Sequence, residues 1–118
     1  MLGEIDAAAN LAVRDVASAR RFYEDVLGLT PTGGQGDDVV TYRSGRTTLN
    51  VYRSEHAGSN KATAVTWAVP NIESVVQALK AKGVVFERYD MPGLTLEGEV
   101  HVGYGMKVAW FKDLDGNT

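Results

Sequence analysis

The chain carries one sequence pattern twice. Residues 11–27 and residues 67–83 each run from an apolar segment through a capped turn into an amphipathic helix. The two copies align at a constant offset, so that Asp15 corresponds to Asn71 and Tyr23 to Leu79. An internal repeat of this kind predicts two copies of one supersecondary unit.

The first copy predicts a strand, a helix and a hairpin. Asp15 is placed to cap the helix, and Gly28 ends it in the manner of a left-handed C-terminal glycine. Glycine-rich residues 30–36 are expected to form a flexible turn. The strands are predicted at residues 4–13, 39–42 and 48–52.

The second copy predicts a helix that starts at Pro70 and Asn71 and ends at Gly83. Residues 90–105 contain too many glycines for a regular strand and are predicted to form a binding loop or lid. A tight turn at residues 113–117 should lead to one more strand, before which the chain stops. The strands of this copy are predicted at residues 64–69, 84–89 and 106–111.

These elements predict an α+β protein in which helices cover a single face of the sheet and the other face stays open. The length of 118 residues favours a single domain. Within it, module one is expected at residues 1–53, a polar linker at 54–63 and module two at 64–118, with its last strand missing.

Composition excludes several function classes. A net charge of −3 with scattered Lys and Arg argues against nucleic acid and against an anionic membrane surface as partners. The chain has no cysteine, so a disulfide framework, a thiolate metal site and a thiol nucleophile are excluded. The N-terminal residues do not resemble a signal peptide, which favours the cytoplasm. A small organic ligand is the expected partner.

The two ends of the chain resemble one family. VRD at residues 13–15, FY at 22–23 and VLGL at 26–29 are similar to the opening signature of the vicinal oxygen chelate superfamily, and WFKDLDGN at 110–117 is similar to its closing signature. This superfamily contains lactoylglutathione lyases, bleomycin-resistance proteins and extradiol dioxygenases. The resemblance implies two βαβββ modules that form a curved, mostly antiparallel sheet, or cup, with the helices outside.

In metal-dependent members of that family, a divalent ion in the cup polarises two substrate oxygens. The resemblance places the two histidine ligand positions at Ala8 and Ala64, whose methyl groups cannot bind metal. The last strand of module one offers Asn50 and Tyr52 in place of a glutamate. Because a catalytic site needs about three N or O donors, no cofactor is expected.

The two histidines of the chain are candidate catalytic groups. His56 is expected to be a solvated linker residue. His101 follows Glu97 and Glu99 closely enough for the three side chains to share one face of a strand, where they could bind a metal or act as an acid and base. The neighbouring glycines make that alternation unreliable, so a polar face without catalytic function is favoured.

Small residues on the open face of the sheet predict a ligand pocket. Strand alternation places Ala8 and Ala12 on the open face and Leu11 on the helix side. Trp67 is expected to face the helix and is therefore excluded. The predicted ligand-binding residues are Asn10, Asn50, Tyr52, Thr66, Tyr104 and Trp110.

Three functions follow from these patterns. The favoured one is a homodimeric, metal-free protein that binds or sequesters a small organic ligand in its cup, as in the bleomycin-resistance branch. The alternative is a metal-dependent lyase or dioxygenase that uses displaced ligands. A third is a regulatory module with a vestigial cup.

Overall fold

A computed structural model describes all 118 residues of the chain. A short 3-10 turn (Leu2–Glu4) precedes strand β1 (Ala8–Val13), and helix α1 (Val16–Arg20) continues as a π-helical turn (Arg21–Val26). The other elements of the first half are strands β2 (Thr30–Gln35), β3 (Val39–Ser44) and β4 (Thr47–Arg53). The second half contains helix α2 (Ile72–Ala81) and strands β5 (Thr95–Glu97), β6 (Val100–Gly103) and β7 (Met106–Val108).

The strands form two sheets. In the first, the order is β1-β4-β3-β2, with β1 and β4 parallel and the other pairs antiparallel. In the second, β5, β6 and β7 form an antiparallel meander. Mostly antiparallel strands with two helices agree with the expected α+β class and with the βαβββ cup, so the predicted fold class is confirmed.

The first core lies between α1 and one face of the four-stranded sheet. Leu11 and Val13 of β1 are buried there together with Val51 of β4, whereas Asn10 of β1 points to the other face and is exposed. This is the alternation that the sequence predicts. A second core surrounds Val76 of α2, and Phe22 packs against both cores.

Both helix starts have the predicted caps. The carboxylate of Asp15 accepts a hydrogen bond from the backbone of Ala17, and the side chain of Asn71 accepts one from the backbone of Ser74. Each cap satisfies a backbone N–H that has no partner within the helix. The hydrogen bond from the Ser18 hydroxyl is the main reason why the pKa of Asp15 is lowered.

The glycine-rich segment at residues 30–36 was expected to be a turn, and this prediction is wrong. Thr30–Gln35 forms an edge strand that pairs with β3, with a register shift between Pro31 and Gly33. At Gly34 a β-carbon would collide with the backbone carbonyl of Val39. The glycine therefore permits the close approach of β2 and β3 and does not mark a break in the sheet.

Four predictions for the second half also need correction. Residues 64–69 form no strand, because no neighbouring strand pairs with them. The strand expected at residues 84–89 is reduced to one bridge between Phe86 and Phe111, and the strand expected at 106–111 ends at Val108. The predicted irregular lid contains the β5–β6 hairpin.

Candidate active cavity and its surroundings

The main concave feature is a cavity of about 810 Å³ between the two halves of the molecule. The apolar face of α2 forms one wall, and residues 107–111 form another. The core side of module one closes the cavity through Leu11 and Phe22. Volumes of this size and a mostly apolar lining are typical of small-molecule sites.

Residues 63–70 cross this cavity without the hydrogen bonds of a strand ladder. The backbone N–H of Ala64 donates to the carbonyl of Thr118 at 2.7 Å. Further along, the indole Nε1–H of Trp67 donates to Ser44 Oγ at 2.8 Å. These two contacts attach the segment to the chain end and to β3, so that Thr66 and Trp67 become part of the cavity lining.

The charged groups of the lining have hydrogen-bond partners within the protein, and one pair of them forms a salt bridge. Lys107 Nζ lies 2.6 Å from Glu73 Oε1, and this hydrogen bond is the main reason why the pKa of Glu73 is lowered and that of Lys107 is raised. Asp113 accepts hydrogen bonds from the Tyr23 hydroxyl at 2.6 Å and from Asn117 Nδ2 at 2.8 Å. Lys107 is therefore neutralised by Glu73, whereas the carboxylate of Asp113 is stabilised by neutral hydrogen-bond donors alone.

Asp113 also organises the C-terminal turn. Its Oδ1 accepts hydrogen bonds from the backbone N–H groups of Asp115 and Asn117, at 2.9 and 2.8 Å. The side chain of Asn117 in turn donates to the carbonyl of Ala12 in β1. This turn therefore joins the end of the chain to the first strand and to the π-helical turn.

The predicted ligand-binding residues fall into three places. Asn10, Asn50 and Tyr52 lie on the open face of the first sheet, where Asn50 Nδ2 donates to Asn10 Oδ1 at 3.2 Å and Asn50 Oδ1 accepts from Thr41. Leu11, which alternates with Asn10, lines the cavity, so this polar group faces away from it.

The remaining three residues come from the second half. Thr66 and Trp110 line the cavity. Tyr104 is 77% exposed, has a φ of 52°, and its hydroxyl lies 3.5 Å from the carbonyl of Pro92. It is outside the cavity lining. The structure thus brings together two of the six predicted residues at the cavity and three at the open face.

His101 is buried in an aromatic cluster with Tyr89 and Trp110. Only 1% of the residue is exposed, and its ring centroid lies 5.9 Å from that of Tyr89 and 4.8 Å from that of Trp110. The backbone N–H of Tyr89 donates to His101 Nε2 at 3.0 Å. The other ring nitrogen, Nδ1, is buried without a hydrogen-bond partner.

The structure does not bring Glu97 and Glu99 together with His101 in one site. Glu97 pairs with Val100 in the β5–β6 register, whereas His101 pairs with Leu96, so Glu97 and His101 occupy opposite faces of the hairpin. The carboxylate of Glu99 lies 2.8 Å from Lys80 Nζ, and this hydrogen bond is the main cause of its lowered pKa. The three residues form no shared site.

Nowhere in the chain do three His, Cys, Asp or Glu side chains come together as a metal-binding group. Ala8 lies on β1 opposite Thr48, and the other implied histidine position, Ala64, lies in the segment that crosses the cavity. His56 is exposed in the linker, with Glu55 as its neighbour.

Trp67 is the cavity residue that sequence reasoning missed. Strand alternation placed it towards the helix, but residues 64–69 are not a strand, so the rule did not apply to them. The residue type itself could have indicated its place in the cavity. Tryptophan combines a large apolar ring with one hydrogen-bond donor, and it is common at sites that are apolar inside and polar at the edge.

Comparison with solved structures identifies proteins of the same fold. The chain is similar to TnmS3, an antibiotic binding protein from Streptomyces sp. CB03234, with a TM-score of 0.68 and 17% identity over 95% of this chain and 88% of the other. A lactoylglutathione lyase from Agrobacterium tumefaciens has a TM-score of 0.69 and 18% identity, over 93% of this chain and 86% of the other. A glyoxalase/bleomycin resistance protein from the same Streptomyces strain has a TM-score of 0.67 and 18% identity, over 95% of this chain and 94% of the other.

No curated protein matches the chain. No helix has the length and apolar character that a membrane crossing requires. The family model described as "Glyoxalase/Bleomycin resistance protein/Dioxygenase superfamily" matches residues 4–118. Because this match spans nearly the whole chain, and the fold agrees with it, the protein belongs to the glyoxalase/bleomycin resistance protein/dioxygenase superfamily.

Proposed function

We propose that this protein binds a small, neutral organic compound in the cavity between its two halves, and that it does so without metal chemistry. The observation that carries the proposal is the cavity itself, with a volume of about 810 Å³, a mostly apolar lining and two tryptophans in its walls. Aromatic walls with a few polar groups at the edge suit a planar ligand.

The charge distribution favours a neutral ligand. Glu73 and Lys107 neutralise each other at 2.6 Å, and Asp113 is occupied by Tyr23 and Asn117. An anionic ligand would lose its hydration in this lining without gaining a free cation. A cationic ligand would lose its hydration against a carboxylate, Asp113, whose oxygens already accept hydrogen bonds. A neutral compound avoids this cost.

The proposal that the metal site is degraded depends on the residues that occupy the ligand positions of the family. The two histidine positions that the family resemblance implies hold Ala8 and Ala64. The alternative of a lyase or dioxygenase with displaced ligands requires Glu97, Glu99 and His101 to meet, and Lys80 binds the carboxylate of Glu99. Binding or sequestration is therefore preferred over catalysis.

A direct test is thermal denaturation with 2-ethylnaphthalene as a neutral bicyclic probe, together with metal analysis of the purified protein. A probe at 100 times its Kd should add about 2.7 kcal/mol to the free energy of unfolding. The two tryptophans of the lining allow the same binding to be followed by fluorescence. Stoichiometric zinc, iron, manganese or nickel would contradict the metal-free proposal.

Two matched variants locate the ligand. Ala68→Trp places a large ring in the cavity lining and should abolish binding. Ala8→Trp adds the same ring to the open face of the first sheet, outside the lining, and should leave binding unchanged. The reverse result would place the ligand on the open face, beside Asn10 and Asn50.

A homodimer and a cytoplasmic location belong to the same proposal. Strand β1 is an edge of the first sheet, and exposed edges are common sites of pairing between chains. Size-exclusion chromatography with light scattering should give twice the mass of 12.7 kDa. A monomer at micromolar concentration would contradict the dimer, and cell fractionation tests the location.

A further inference from the structure

Resting on the proposed function, the hydrogen bonding of His101 identifies the class of ligand. The backbone N–H of Tyr89 can only donate, so His101 Nε2 must accept and carries no proton. A neutral imidazole then has its proton on Nδ1. That N–H group is buried and has no acceptor in the protein.

An unpaired buried donor is costly. Leaving such a group without a partner destabilises the fold, and most buried polar atoms in folded proteins are paired. The rings of Tyr89 and Trp110 that surround His101 offer no strong acceptor. An oxygen from outside the chain, of a ligand or of a buried water, would satisfy this donor.

Trp110 connects this donor to the cavity. Its side chain lines the cavity, and its ring meets the imidazole edge to face at 4.8 Å between centroids. His101 thus lies directly behind one cavity wall. The carbonyl of Trp110 accepts the backbone N–H of Glu87 at 2.8 Å, which fixes the backbone at this position. A ligand in the cavity therefore reaches the imidazole only if it displaces the Trp110 side chain.

We propose that His101 is a specificity-determining residue whose Nδ1–H donates a hydrogen bond to a neutral acceptor oxygen of the ligand, and that the ligand is an aromatic carbonyl compound. A ketone, quinone or amide oxygen provides the acceptor, and its ring system packs against the aromatic side chains of the lining. A carboxylate is disfavoured because the cavity has no unpaired cation.

The test compares 2-acetylnaphthalene with 2-ethylnaphthalene, a pair of probes that differ by one carbonyl oxygen. Tryptophan fluorescence titration of the wild-type protein should give a Kd for the ketone about threefold to tenfold lower than for the hydrocarbon. His101→Phe should remove this preference and retain binding of 2-ethylnaphthalene. A preference that persists in His101→Phe would overturn the inference.

A measurement on the wild-type protein covers the case in which His101→Phe does not fold. In proton NMR, 2-acetylnaphthalene should move the Nδ1–H resonance of His101 downfield, and 2-ethylnaphthalene should not. Equal affinity for the two probes overturns the role of His101 and leaves the proposed function standing. Failure of both probes to bind would overturn the proposed function, and the inference with it.

Discussion

The hydroxyl of Tyr23 donates a 2.6 Å hydrogen bond to Asp113, across 90 residues of sequence. Tyr23 belongs to the π-helical turn after α1, and Asp113 organises the C-terminal turn. This contact therefore joins the beginning and the end of the chain. It also lies at the cavity, since both residues contribute to the lining.

Replacing Tyr23 by Phe should lower the free energy of unfolding by about 1.5–3 kcal/mol, the usual range for a hydrogen bond to a charged group. Chemical denaturation measures the change. Tyr104→Phe is the matched control, because Tyr104 is largely exposed and its hydroxyl makes only a long contact with Pro92. Its effect should stay within about 0.5 kcal/mol. Equal effects of the two changes would contradict the assigned contact.

The same tyrosine predicts a loss of stability at alkaline pH. Burial, and then the charge and hydrogen bond of Asp113, raise the pKa of Tyr23 above its ordinary value of 10.0. Burial and Glu24 raise the pKa of Tyr42 in the same direction. The folded protein therefore keeps protons that the unfolded chain releases, so this stability is present below pH 10.0 and decreases as the pH rises above it.

Melting temperatures measured between neutral pH and about pH 11 should fall less steeply for Tyr23→Phe than for the wild type. Tyrosinate absorbance provides an independent reading. Of the five tyrosines, Tyr23 and Tyr42 should ionise only as the protein unfolds. Ionisation of all five before unfolding would contradict this prediction.

The linker should be sensitive to a single methyl group at Gly58. This residue has a φ of 72°, and a β-carbon there would collide with the backbone carbonyl of Asp115. Gly45 has a similar φ of 59° with open space around it. Gly45→Ala should therefore lower the free energy of unfolding by about 1–2 kcal/mol, because alanine is strained in the left-handed conformation. Gly58→Ala should lower it clearly more, because the collision is added to this strain. The difference, measured by thermal unfolding, isolates the collision.

His101 should exist as one tautomer. Because Nε2 accepts the Tyr89 N–H, nitrogen-proton correlation NMR at neutral pH should show the proton of His101 on Nδ1. His56 is exposed and serves as the internal reference, with signals averaged between tautomers. A proton on Nε2 of His101 would contradict the hydrogen bond.

Charge pairing at the cavity should control the preference between anionic and neutral ligands. Glu73→Gln leaves Lys107 without its anionic partner. The ratio of the affinity for 2-naphthoate to the affinity for 2-ethylnaphthalene should therefore rise about threefold to tenfold over that of the wild type. The rise should be smaller at high salt. In Glu87→Gln, the analogous partner Lys112 lies outside the lining, and the ratio should stay unchanged. An unchanged ratio in Glu73→Gln would show that this pair does not set ligand charge.

The helix caps and the burial pattern of the first strand could be predicted from sequence because their signals are local. The caps at Asp15 and Asn71 depend on a few neighbouring residues, and the buried positions of β1 follow strand alternation. The glycine-rich β2 could not be predicted in this way, because its stability comes from pairing with β3. The division into modules at residues 1–53 and 64–118 stays a prediction.

The site was predicted less well than the fold. Alternation correctly separated Asn10 from Leu11, but it cannot tell which face of a sheet borders a cavity. The lining depends on how residues 63–70 cross between the halves, which is a matter of long-range contacts such as that of Trp67 with Ser44. The unpaired Nδ1 of His101 likewise appears only when every neighbour of the imidazole is in place.

Pro31 in β2 affects how neighbouring molecules of this protein behave in a concentrated solution. The residue has no N–H group, and the register shift beside it distorts the outer border of the first sheet. An unfolded chain cannot form a continuous series of backbone hydrogen bonds with this edge, which hinders fibril growth from this side of the sheet. Any ordered extension of that sheet must start from Ala8–Val13 at the opposite border.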